Sequence, residues 1–254
     1  MKLYLHCMEC APFDLNNITN FGEAEFNEVG YYEYTCPNGH KTCFLLQNLR
    51  FEILFEIGTF AFRDGYYRET VASYTAALER FYEFCINIFC SNKQISQACF
   101  KETWKISTSS ERQFGAFCFL YLISFGKNPT TKSEDDKLRK LRNNVIHNGY
   151  IPTKQEALDY GEKVFNFINE NIKLLKLNFK KEIEKYISDN LKRIGQQAAK
   201  RNIKYATICL GTLISTISES NTYEHKSFEE ILNTHLYYAN KEKNHFDSLK
   251  HNFP

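Results

Sequence analysis

Arg142, Asn143 and His147 fall close together in the stretch LRNNVIHNGY, residues 141–150. An imidazole exchanges protons near neutrality, so a histidine can serve as a general base or acid. A guanidinium keeps its charge and presents a planar fork that fits two phosphate oxygens. A neighbouring amide such as Asn143 can orient either group or a bound phosphate. Together the three suit proton transfer beside a phosphoryl group, and none of them needs a metal.

The elements around these residues must place them. The charged run SEDDKLRKL, residues 133–141, favours a helix that carries Arg142, Asn143 and His147 on its last turns. Asn148-Gly149 then supplies a left-handed cap, because Gly and Asn adopt positive φ cheaply. Pro152 keeps the helix from resuming. Five residues of helix separate Arg142 from His147 by ~7.5 Å of rise and about 140° of rotation. One copy of the pair therefore makes an incomplete site.

A second group of reactive side chains lies near the N-terminus. Cys7-Met8-Glu9-Cys10 leaves one short strand, KLYLH, and Cys36-Pro37-Asn38-Gly39-His40 leaves another, YYEYT. Tight turns of this kind aim backbone N–H groups at thiolate sulfur. The paired knuckles resemble a zinc ribbon, with Cys7, Cys10, Cys36 and His40 as the tetrahedral set and Cys43 as a rival for the fourth position. All positions are filled by protein, so the zinc is expected to be structural. A segment this short, with few aliphatics, needs such a staple.

Arg-Asn-x-x-x-His followed by Asn-Gly-Tyr, inside a helical chain, resembles the HEPN superfamily of small helical-bundle proteins. The resemblance covers roughly residues 48 to 200 in outline. It implies a metal-independent endoribonuclease in which the ribose 2′-OH attacks the phosphate, leaving a 2′,3′-cyclic phosphate and a 5′-OH. His147 would move the proton, Arg142 would hold the phosphorane charge, and Asn143 would orient them; catalysis itself would need no cofactor. The family resemblance further implies a homodimer, whose two copies bring two Arg and two His to one cleft across a two-fold axis. Glu79 and Arg80, in ALERFYEF, resemble polar positions that border such sites. The role implied is that of a toxin or anti-phage defence effector, with RNA as substrate and an antitoxin or defence-system protein as partner. The alternative is a non-catalytic HEPN-type module whose dimer cleft binds a protein or a nucleotide. A third reading makes the ribbon a nucleic-acid-binding finger, but its acidic balance opposes contact with phosphates.

Charge is unevenly distributed. Residues 1–60 carry three basic and eight acidic side chains, whereas residues 171–204 carry ten basic and three acidic ones. The basic stretch could meet a polyanion, or form a solvated helix face. No apolar run is long enough to span a membrane. The first residues, MKLYLHCMEC, lack the apolar core and cleavage motif of an export signal. Nine cysteines without such a signal point to reduced thiols and metal binding in the cytoplasm.

The expected fold is mainly α: a HEPN-type helical bundle with a small N-terminal β zinc-ribbon-like segment. The division is 1–47 for the β-segment, 48–202 for the bundle and 203–254 for a C-terminal extension. KLYLH, YYEYT and TCFLLQ read as strands, with APFDLNNITNFGEAEFNEVG as a surface loop between the first two. Helices are expected over LRFEILFEIGTFAFRDG, YYRETVASYTAALERFYEFCINIFC, ISQACFKETWKI and SERQFGAFCFLYLISFG. In the second of these, Val71, Tyr74, Ala77, Leu78, Phe81, Phe84, Cys85 and Ile88 form the inner face. Cys85, Cys90, Cys99 and Cys118 read as small core residues. Thr153 caps a long helix that continues, with a kink, to about residue 202. KYATICLGTLISTI fits a strand or a buried helix, SFEEILNTHLYYANKEK fits a helix capped by Ser227, and the last residues look frayed.

Overall fold

A computed structural model describes residues 2–10, 21–107, 109–130, 132–201, 203–217 and 226–251. The chain is mainly helical with a small N-terminal β-segment. Its contacts sort into two units. One gathers residues 1–48, 187–211 and 225–254, and the other gathers residues 49–186 and 212–224. The first boundary thus falls at 48/49, while residues 187–211 and 225–254 group with the β-segment.

In the N-terminal unit, β1 (Lys2–His6) pairs antiparallel with β2 (Phe21–Glu25), and β3 (Tyr31–Thr35) pairs antiparallel with β4 (Lys41–Leu46). The strand β2 lies within the stretch read as a loop, whose residues 11–20 fall outside the described residues. FGEAE has neither alternation nor β-branched residues; pairing with β1 makes it a strand. The strand β5 (Tyr205–Ile208) pairs parallel with β4, so YATI resolves as a strand, while residues 209–217 form neither strand nor helix. Cys43 and Leu45 of β4 pack with Ile194 and Ala198, and Tyr31, Leu191 and Ile203 flank them. That packing draws residues 187–200 into this unit. Helix α7 (Phe228–His251) extends past Lys243 into the end expected to be frayed, residues 244–254, of which 252–254 fall outside the described residues. Its start is a capping box: the Ser227 amide donates to Glu230 at 2.8 Å and Ser227 Oγ accepts the Glu230 amide at 3.3 Å.

The helical unit contains α1 (Arg50–Arg63), α2 (Tyr67–Asn92), α3 (Gln97–Trp104), α4 (Ser110–Phe125), α5 (Lys132–His147) and residues 154–186 of α6 (Lys154–Lys200). The expected inner face of α2 is buried in full. Helix α1 lies so close to α2 that a Cβ on Gly58 would meet the Tyr74 ring at 2.7 Å, so glycine is required there. Phe55 stacks on Tyr74 at 4.3 Å, Phe51 meets Phe81 edge-on at 5.2 Å, and Phe117 of α4 adds Tyr82 at 4.8 Å. Aromatic edges and faces thus take the place of aliphatic interdigitation.

Two buried carboxylates close this core. Glu52 accepts the amides of Leu49 at 3.0 Å and Thr216 at 2.6 Å, and Glu56 accepts that of Leu213 at 3.1 Å. Backbone donors satisfy charges that would otherwise be costly to bury. They also fix residues 213–216 against α1. Long α6 breaks its helical dihedrals at Phe179 (φ −135°, ψ 33°), whose ring packs on Phe89 and Phe125. The short α3 buries no residue, and Cys99 on it is exposed; of the four cysteines read as core, Cys85 is buried and Cys90 and Cys118 are half-buried. From Phe114 on, helix α4 is largely apolar, yet Phe119, Leu122 and Ile123 are exposed.

Candidate active site and metal centre

Helix α5 ends as its sequence demands. Gly149 takes φ 68°, and the amides of Asn148 and Tyr150 both donate to Asn144 O at 3.1 Å. Val145 is fully buried and anchors the last turns, while His147, two residues on, is exposed.

Arg142 is held tightly. Its Nη2 donates to Glu79 Oε1 at 3.0 Å and to Ser110 Oγ at 2.8 Å, and its Nη1 donates to Asn143 Oδ1 at 2.9 Å. Glu111 lies 3.8 Å away, and the Arg142 side chain is only 17% exposed. Helices α2, α4 and α5 therefore each contribute to fixing one guanidinium. Asn143 acts on Arg142 directly, as an orienting amide. Glu79 is expected from the resemblance as a polar position bordering such a site; Ser110, at the start of α4, carries no signal in the sequence for this role. Ser109 takes the cap, accepting the Arg112 amide, which leaves the Ser110 hydroxyl for Arg142.

The surroundings are electrostatically arranged. The backbone amide at the start of α4 holds the Glu111 carboxyl below the usual carboxylate range, and the Arg142 charge adds to that. Burial pushes the Tyr160 hydroxyl up to about 12, so it stays protonated and pairs with Thr75 Oγ1 at 2.8 Å. Arg80 turns away from the group, donating to Glu83 at 2.6 Å and to Gln113 at 3.2 Å.

Comparison with protein-family models, with curated proteins and with solved structures finds no match for this chain. Its site is therefore read from its own geometry.

Cys7, Cys10, Cys36 and His40 bring their ligating atoms within 4.8 Å of one another. Cys10 Sγ lies 3.8 Å from Cys36 Sγ, and His40 Nδ1 lies 3.3, 3.6 and 3.7 Å from the sulfurs of Cys10, Cys36 and Cys7. A tetrahedron with Zn–S bonds of about 2.3 Å has sulfur–sulfur edges of about 3.8 Å, so the spacing suits a metal of that size. The turns that hold these atoms are knuckles. Cys10 N points at Cys7 Sγ at 3.4 Å, and Asn38 Nδ2 at Cys10 Sγ at 3.4 Å. Gly39, at φ 82°, lets the second turn close through Gly39 N to Cys36 O at 2.9 Å. With Nδ1 turned inward, His40 Nε2 faces the Glu9 carboxylate at 3.9 Å, the kind of outer partner that fixes an imidazole ligand. Burial pushes the Cys7 thiol up, an expense that a bound cation offsets by holding thiolates. Cys43 is not in this group; it packs with Leu45, Ile194 and Ala198. These four side chains could hold a metal ion such as zinc, and no position would be left for a reacting water.

No helix among the described residues is long and apolar enough to cross a membrane.

Proposed function

We propose that the chain is a HEPN-type endoribonuclease that cleaves RNA without a catalytic metal, working as a toxin or anti-phage effector in the cytoplasm. The observation that carries this reading is the fixed guanidinium of Arg142 on the same helix end as an exposed His147. In the proposed reaction, His147 takes the proton of the ribose 2′-OH as that oxygen attacks phosphorus. Arg142 meets the charge gathering on the phosphorane oxygens, and its pre-set geometry avoids reorganisation at that moment. Asn143 and Ser110 position the fork. Expulsion of the 5′ oxygen, with a proton returned to it, completes the 2′,3′-cyclic phosphate. Zinc, held by Cys7, Cys10, Cys36 and His40, staples the N-terminal unit and takes no part in the chemistry.

Arg142 and His147 diverge by about 140° around α5, so two copies are proposed to complete each other's site. Mixing Arg142→Ala protomers with His147→Ala protomers tests this on single-stranded RNA, with the wild-type protein as reference. Each variant alone should be severely impaired, and the mixture should recover part of the wild-type rate, because one Arg and one His survive on different subunits. An inert wild type overturns the nuclease reading, and an active wild-type monomer that resists dilution overturns the shared site.

A second reading has a specific observation in its favour. The Glu79 carboxylate already pairs with Arg142 at 3.0 Å, so the guanidinium could serve the bundle alone. In that case the chain is a non-catalytic HEPN-type dimer that binds a protein or a nucleotide, and no RNA is cut.

A further inference from the structure

Just past His147 the surface changes character. Tyr150 is 40% exposed and Ile151 is 75% exposed, two large side chains in a turn that also holds Asn148, Gly149, Thr153 and the buried Pro152. Leaving them in water forgoes the burial that apolar side chains normally gain. Both are held in place. The amide of Tyr150 closes the end of α5 on Asn144 O, and the buried Pro152 fixes the backbone after Ile151.

The ring of Tyr150 is fixed as well. Its hydroxyl donates to both carboxylate oxygens of Glu156, at 2.9 and 3.1 Å. Glu156 is itself immobilised, accepting the Thr153 amide at 2.8 Å and the Thr153 hydroxyl at 2.9 Å in the capping box of α6. The Thr153 amide, then its hydroxyl, and then Tyr150 hold the Glu156 carboxyl below the usual range, so it stays an acceptor through neutral pH. The polar tip of the tyrosine is thus satisfied while the residue as a whole stays 40% exposed. A flat, pre-oriented ring with its hydroxyl spoken for loses little freedom when it binds.

We propose that Tyr150 and Ile151 form a nucleobase subsite, on which an unpaired base beside the scissile phosphate stacks. This rests on the reading of the Arg142–His147 site as an RNA-cleaving one. Single-stranded RNA suits such a platform, because its splayed bases offer π-faces to aromatic side chains, whereas bases within a helix are already stacked. Stacking tolerates any base. The subsite therefore selects unpaired RNA over duplex RNA and imposes little base identity. It also fixes the strand at a set distance from His147, three residues upstream, which is what proton transfer needs.

The test uses full-length protein and a short fluorescent single-stranded oligoribonucleotide carrying 2′-fluoro sugars, which bind but cannot be cut. Tyr150→Ala should weaken binding by about 5- to 100-fold, the range for losing one base–aromatic stack. Tyr150→Phe should lose less, about 2- to 5-fold, since the ring stays and only its tether to Glu156 goes. Oligonucleotides with a single abasic position then locate the stacked base. At one position the abasic change should weaken wild-type binding and leave Tyr150→Ala binding unaltered. If the wild type binds and cuts RNA while Tyr150→Ala does both equally well, the subsite is wrong and the nuclease reading stands. If the wild type neither binds nor cuts RNA, the nuclease reading fails and the subsite falls with it. If Tyr150→Ala or Ile151→Ala dissociates a dimer with unaltered RNA affinity per chain, the patch is a contact between copies, and the subsite is overturned.

Discussion

His147→Ala is expected to lower RNA cleavage by about 10²- to 10⁴-fold, the usual contribution of a positioned general acid or base. The fold should be untouched, because the His147 side chain is exposed on the last turn of α5 while Val145 supplies that turn's buried contact. Arg142→Ala should differ in kind. It removes the cation from Glu79 and empties hydrogen bonds from Ser110 and Asn143, so it should cost about 1–3 kcal/mol of stability as well as activity. Arg142→Lys keeps the charge but loses the planar fork, and should restore stability better than it restores cleavage. Thermal melts run beside cleavage assays separate these effects. A His147→Ala protein with wild-type activity would remove the proposed proton carrier.

Loss of the metal is expected to have the largest effect on stability. In the N-terminal unit the strands are only four to six residues long, and the four ligating side chains tie the turn after β1 to the turn after β3. A structural zinc of this type contributes apparent binding energies of about 10–16 kcal/mol in isolated fingers, and that energy goes into folding. Cys10→Ser or Cys36→Ser should therefore bind zinc poorly and lose hydrogen-exchange protection across β3 and β4. Cys43→Ser should keep its zinc, because that thiol packs in the core, and should melt earlier for the polar group placed there. Elemental analysis showing no zinc in wild-type protein purified without chelator, or full zinc in Cys36→Ser, would refute the ligand set.

Local physics made much of this chain legible. The caps at Gly149, Thr153 and Ser227 and the inner face of α2 depend on near neighbours, and the structure places each as the sequence indicates. The convergence of Cys7, Cys10, Cys36 and His40 was legible because two knuckles on adjacent turns leave thiols little freedom. What was missed depends on distant partners. FGEAE becomes β2 only through β1, and residues 205–208 become β5 only through a parallel pairing with β4, some 160 residues away in sequence. The grouping of residues 187–211 with the β-segment has the same cause. Ser110 meets Arg142 across 32 residues, and nothing local to either marks it. Cys99 was misjudged because α3 has helical periodicity without burying anything.

The ribose beside the scissile phosphate tests the central claim most directly. A defined single-stranded RNA is cut by zinc-replete protein with no magnesium added, and the products are compared with those from the same strand carrying one 2′-deoxy sugar at the cleavage site. The account predicts a 2′,3′-cyclic phosphate and a 5′-OH from the first strand and no cleavage at that site in the second, since the nucleophile is missing. Cleavage at the deoxy position, or strict dependence on added magnesium, would contradict it.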